Sequence, residues 1–186
     1  GRFDPLADNL ERPLALRYHG HQFGTYNPDL GDGRGFLFAQ VQDQDHHWHD
    51  LGTKGSGQTP WSRDGDGRLT LKGGVREVLA ATYLEALGVH TSKAFSLIET
   101  GEELARGDEP SPTRSSVLVR LSETHIRFGT FQRAAYTDDA EAMAQLVDHC
   151  VRHYHPSAAD PDMARPTAAL FERITEATAK MIGQWM

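Results

Sequence analysis

KGSGQTPWSRDGDGRLTLKGGVRE, residues 54–77, runs from a lysine at the end of an apparent strand, through a loop rich in glycine and arginine, into a helix with a glutamate near its start. Between residues 54 and 76 five basic side chains (Lys54, Arg63, Arg68, Lys72, Arg76) stand against two acids (Asp64, Asp66), in a chain whose net charge is -7. Such an island calls for an anionic partner or a structural role, and the stretch reads as the phosphate-handling end of a nucleotide site. The spacing predicts a helix over 75–87, with Val75, Val78, Leu79, Tyr83 and Leu87 on one face and Gly88 as its stop signal. Glu77 heads a different column, with Ala80, Ala81 and Leu84 at helical spacing, so that face is also apolar and expected to pack. A carboxylate at the head of a packed column needs a cation, because an unpaired buried charge costs several kcal/mol or is neutralised. Lys54 is the candidate.

Upstream, residues 1–30 combine three prolines with the polar-aromatic run Tyr18–Phe23 and show no sustained period, which predicts loops and short helices. Gly31-Asp-Gly-Arg-Gly35 then leads into a short apolar run, residues 36–41, and residues 51–54 form a second expected strand. Downstream, residues 95–99 and 116–122 read as strands separated by a polar, proline-containing loop. In the latter, Val117, Val119 and Leu121 alternate with Ser116, Leu118 and Arg120, which points Arg120 away from the apolar stripe. Thr137-Asp-Asp139 makes a good helix start, with an end expected near Tyr154. Residues 155–166 read as a linker. Leu170, Phe171, Ile174, Ala177, Met181, Ile182 and Trp185 then keep helical spacing to the end of the sequence.

With 186 residues and 38% hydrophobic content, the chain can bury a core as one domain or as two small lobes sharing a cleft. Its acidic balance argues against nucleic-acid or membrane-surface binding, which need a basic face. One cysteine, Cys150, allows no internal disulfide and suits a reducing compartment. No apolar run approaches the ~20 residues of a membrane span, so the expectation is a soluble, cytoplasmic protein. The sequence begins without an initiator methionine, leaving room for residues upstream.

Several motifs fail on inspection. Gly52-Thr-Lys-Gly-Ser-Gly57 lacks the glycine before and the Ser or Thr after the lysine that a P-loop needs. Asp64-Gly-Asp-Gly67 starts like a calcium loop, yet its twelfth position is Val75. The histidines His46, His47 and His49, and the helical pair His149 and His153, lack a matching third ligand and read as surface or packing residues. Gly31–Gly35 fits either a hairpin turn, the commoner case, or an anion nest whose glycines adopt positive φ. Arg120 and Arg127 suit either a bidentate phosphate clamp or pairing with surface acids.

Five blocks in register carry a resemblance: Tyr18-His-Gly-His-Gln-Phe-Gly24; Leu30-Gly-Asp-Gly-Arg34; Lys54-Gly-Ser-Gly-Gln-Thr-Pro60 with Ser62-Arg63; Val75-Arg-Glu-Val-Leu79; and His125-Ile-Arg-Phe-Gly129. In this order they resemble the selenoprotein O (SelO/YdiU) family over most of residues 14–133. The resemblance implies an α+β, protein-kinase-like fold: residues 1–135 as an amino-terminal lobe of antiparallel sheet plus helix, and 136–186 as the first helices of the next lobe. It implies ATP as substrate with Mg2+ or Mn2+, and transfer of AMP to Ser, Thr or Tyr hydroxyls of proteins. The nucleotide lies reversed relative to ordinary kinases, and UMP transfer is also ascribed to bacterial members. Residue by residue it places Gly31, Gly33, Arg34, Lys54, Asp66, Gly67, Arg120 and Arg127 on the nucleotide and makes Glu77 the partner of Lys54. Thr53, Trp61 and Gly73-Gly74 depart from the family's commoner residues. The family's catalytic aspartate and Asn/Asp metal ligands belong to a block beyond Met186, so neither general base nor metal ligand is expected in this sequence, and the chain alone is expected to be inactive. Rival readings are a kinase transferring the γ-phosphoryl group and a catalytically silent nucleotide-binding protein.

Overall fold

The computed structural model describes residues 10–156 and 166–186; the first nine residues of the 1–30 stretch expected as loops and short helices, and most of the 155–166 linker, lie outside them. Where loops and short helices were expected, β1 (Arg17–Gln22) and β2 (Thr25–Gly31) form an antiparallel hairpin with Gln22 opposite Thr25. Its two-residue turn has positive φ at both positions, 53° at Phe23 and 78° at Gly24, the handedness that matches strand twist. Such a turn usually shows itself as Asn-Gly; a phenylalanine in the first place hides it.

A separate five-stranded antiparallel sheet contains β3 (Leu37–Gln42), β4 (Trp48–Lys54), β5 (Leu69–Thr70), β6 (Lys93–Leu104) and β7 (Thr113–Ser122). Strand β7 is central. Along one edge it pairs with β4 and then β5, along the other with β6, while β3 flanks β4. Residues two apart share a face, so Asp50, Gly52 and Lys54 of β4 lie together, opposite Ser122, Arg120 and Leu118 of β7. The register sets Arg120 beside Gly52 and next to Lys54.

Helix α1 (Leu71–Ala86) covers that face. It begins four residues before the expected Val75, capped by the Thr70 side chain, which accepts from the Gly73 amide. Gly73 and Gly74, just ahead of the expected start, lie inside the first turns. A Cβ on Gly74 would stand 2.5 Å from Leu97 Cδ1 and 2.8 Å from Ser116 Oγ, so glycine is what lets the helix settle on the sheet. The packed side of α1 is the column Gly74, Glu77, Ala81 and Leu84, whereas Val75, Leu79, Tyr83 and Leu87 are exposed. In β7 likewise, Ser116 and Leu118 are fully buried while Val117, Val119 and Leu121 are only half-buried. Arg120 does point away from those three, onto the better covered face. The helix ends as expected at Gly88, φ 78°, whose amide donates to the Glu85 carbonyl while that of Val89 donates to Leu84.

Among the described residues three α-helices follow: α2 (Phe128–Tyr136), unanticipated, then α3 (Ala140–His153) and α4 (Pro166–Trp185). The β1–β2 hairpin docks on α2, β1 through Gly129, where a Cβ would meet the His19 carbonyl oxygen at 2.1 Å, and β2 through the stacked rings of Tyr26 and Tyr136. Asp139 caps α3 by accepting from the Ala142 amide. Cys150 and Val151 pack with Ala169 and Leu170 as a small helical core that takes in Ile126 and Phe131.

Candidate functional site

A cleft of about 890 Å³ opens between the Gly31–Gly35 connection, the 61–68 loop, the ends of β4 and β7, and the segment entering α2. Seven basic side chains line it (Arg34, Lys54, Arg63, Arg68, Arg106, Arg120, Arg127) against three carboxylates (Asp32, Asp64, Asp66). In an acidic chain this is a strongly cationic hollow. Its volume falls within the ~300–1,000 Å³ usual for ligand pockets.

Lys54 ends β4 on the face covered by α1, and its Nζ donates to Glu77 Oε1 at 2.5 Å. The other carboxylate oxygen of Glu77 lies 3.6 Å from Arg120. One glutamate on α1 thus bridges cations from two strands. Arg127, just past β7, sets its guanidinium 4.4 Å from the Tyr18 ring centre and 3.4 Å from Asp32 Oδ1.

The Gly31–Gly35 segment is neither of the alternatives drawn from sequence. It joins β2 of one sheet to β3 of the other, so it is no hairpin turn, and none of its glycines has positive φ. Its glycines serve close approach: a Cβ would lie 2.3 Å from Trp61 Cγ at Gly31, 2.9 Å from the Trp61 carbonyl at Gly33 and 2.0 Å from the Thr53 carbonyl at Gly35. Thr59 Oγ1 donates to the Asp32 carbonyl and Ser62 Oγ to that of Gly33, both at 2.5 Å, fastening the 59–62 segment onto this connection. At Gly67, φ 70°, a Cβ would overlap the Gly57 backbone at 2.2 Å. Asp66 accepts both guanidinium nitrogens of Arg106, at 2.7 and 3.1 Å, and the Arg68 amide. The Arg106 hydrogen bonds, aided by the Arg68 amide, hold its carboxyl below the usual carboxylate range.

All eight residues placed on the nucleotide by resemblance line this one cleft. The basic island is divided, however. Lys72 and Arg76 open onto an adjoining hollow of about 560 Å³ that shares Arg34, Arg68 and Arg106 with the first, and Lys72 pairs with Glu109 at 3.5 Å. Arg106 had no signal of its own, since only the fold brings it to Asp66 across 40 residues. Asp50 was also unmarked, and His125 was noted only as the head of a block of the resemblance: buried Asp50 accepts from Gln40 Nε2, from the His125 amide and from His125 Nδ1. Of the histidines weighed as metal ligands, His49 lies 2.9 Å from Asp43 and His149 rests against His153. Among the described residues no group of three His, Cys, Asp or Glu gathers as a metal-holding set.

Sheet, covering helix and cation-lined cleft define the class, an α+β protein with a protein-kinase-like amino-terminal lobe followed by helices. The family described as "Protein adenylyltransferase SelO" matches residues 3–186, and the chain belongs to it. It is similar to proteins named "Protein nucleotidyltransferase YdiU": 59% identical over 174 residues to that of Synechococcus elongatus, covering 93% of this chain and 35% of the relative. To that of Synechocystis sp. it is 59% identical over 176 residues, 93% and 36%. To that of Vibrio vulnificus it is 41% identical over 174 residues, 94% and 34%. The chain therefore spans about a third of the length of these curated relatives.

Proposed function

We propose that this chain is the ATP-holding part of a protein nucleotidyltransferase that moves AMP from ATP to Ser, Thr or Tyr hydroxyls of other proteins. The observation that carries the reading is the convergence of Arg34, Lys54, Arg120 and Arg127, from four separate places in the sequence, on one cleft, with Glu77 bridging Lys54 and Arg120. Several fixed cations suit a triphosphate, and they suit adenylyl transfer when they hold the β- and γ-phosphates as departing pyrophosphate and leave the α-phosphorus open to a hydroxyl. Catalysis by this half of the site is positioning and charge neutralisation. The family and the names of its relatives agree with nucleotidyl transfer.

Mg2+ or Mn2+ enters the proposal only as the companion of ATP. Among the described residues the carboxylates do not gather into a cradle for it, and Asp32 is engaged by the Leu16 amide and Arg127, Asp66 by Arg106. Metal ligands and the general base are expected outside this chain. Compartment is proposed as cytoplasmic; no helix of the described residues is long and apolar enough to cross a membrane.

The test uses the full-length gene product with ATP labelled at the α or the γ position. Label on the acceptor protein from the α position supports the proposal, and label from the γ position alone overturns it in favour of a kinase. Replacing ATP by UTP separates AMP from UMP transfer. Lys54→Ala and Arg120→Ala are each expected to weaken ATP binding at least tenfold, by loss of a charge-assisted contact worth about 1.5–3 kcal/mol. Unchanged affinity in both variants would leave a protein that holds ATP elsewhere, if at all.

A further inference from the structure

Among the described residues His125 is the one histidine that lines the cleft, and its ring is held from behind by Asp50. Asp50, 3% exposed, receives at Oδ2 both the His125 amide at 2.6 Å and Nδ1 at 3.0 Å, while Gln40 fills Oδ1 at 2.8 Å. Burial by itself would push the Asp50 carboxyl up; the bonds from His125 and Gln40 overcome that and keep it low, so it is a carboxylate. A ring nitrogen facing a carboxylate is a donor, which assigns the proton to Nδ1 and leaves Nε2 as the working nitrogen. That atom lies over Gly52: a Cβ there would stand 2.6 Å from it, so only glycine leaves the ring its place. Among the described residues only Nδ1 of this ring is hydrogen-bonded, and the side chain is partly exposed in the cleft. Opposite Gly52 in register is Arg120, and two residues beyond the ring is Arg127.

Resting on the nucleotide reading above, we infer that His125 is a further ligand-contacting residue of the cleft, its Nε2 taking one proton from solvent as ATP binds and donating it to a phosphate oxygen. The charges around the ring make the step conditional. Around the ring stand Asp50 on β4, Arg120 on β7 and Arg127 in the connecting segment; Glu123 precedes the ring, and His149 and Tyr154, from α3 and its end, both feel the charge of Asp50. An arriving polyphosphate offsets the two guanidinium groups and presents an acceptor, so anion and proton come together. No other bond forms or breaks.

The experiment is calorimetric titration of the full-length gene product with ATP in two buffers of different ionisation heat, for wild type and for His125→Gln. The amide of glutamine reaches the place of Nε2 and donates without titrating. ATP's own proton exchange is common to both proteins, so the difference belongs to the ring. Wild type is expected to take up more protons than the variant, by up to about one, and between pH 6 and 8 its affinity should fall more steeply, by up to about tenfold per pH unit. Nitrogen NMR of the wild-type ring, free and with ATP, decides the matter even should the variant misfold: conversion to imidazolium on binding supports the inference. A neutral ring with ATP bound, or equal proton uptake in both proteins, overturns it and leaves the nucleotide reading standing. Failure of wild type to bind ATP at any pH overturns both.

Discussion

At Gly67 the backbone turns left-handed, φ 70°, against the backbone of Gly57. An alanine there meets strain and overlap with atoms that cannot rotate away, so Gly67→Ala is expected to lower stability by more than about 2 kcal/mol in a urea unfolding series. The neighbouring Asp66–Arg106 pair makes a gentler prediction. Its carboxyl titrates below the ordinary range because of Arg106, and Arg106→Ala should move the Asp66 carbon NMR titration back up, with a stability change of no more than about 1 kcal/mol because both groups are partly exposed. These residues also show where sequence reasoning ends. Lys54 and Glu77 could be paired in advance because a carboxylate on a packed column demands a cation, and the nearest candidate ends a strand. Nothing comparable marks Arg106, in an irregular loop, or Asp50, whose partner is 75 residues away.

Strands and helices were legible where apolar spacing is sustained and start or stop signals are strong, as at Asp139 or Gly88. They were misread where tertiary contact overrides local preference. The helix was expected to start after Gly73-Gly74, yet at Gly74 the sheet leaves no room for a side chain, and the glycine cost of about 1 kcal/mol is offset by that close packing. The apolar series Val75, Leu79, Tyr83 and Leu87 has good helical spacing but faces solvent, because the sheet needs the small-residue side of α1. The β1–β2 hairpin went unseen for a related reason: Phe23, 98% exposed, stands at φ 53°, where asparagine or glycine is usual. Phe23→Asn is accordingly expected to raise the unfolding midpoint, by about 0.5–1 kcal/mol equivalent, since asparagine accepts this conformation readily.

For the molecule as a whole, acid should act in two stages. His19 is held below its ordinary 6.5 by burial and by the charges of Arg17 and Arg133, and His149 by burial and His153. The unfolded chain therefore binds those protons first: the stability they contribute is complete above about pH 6.5 and is lost as pH falls through their folded values. Asp50 and Asp66, held below 3.8, contribute stability that is complete above that value and lost as pH falls further. Thermal unfolding at stepped pH should show both declines, and His19→Gln should shrink the upper one alone. A different consequence follows from Glu77, a single carboxylate shared by two strands. Were α1 to swing outward, Lys54 and Arg120 would be left as adjacent uncompensated positive charges, so the position of this helix and the electrical state of the cleft are one variable. Any influence that moves the helix retunes the hollow's appetite for anions, and any anion that satisfies those two cations loosens the helix's tether.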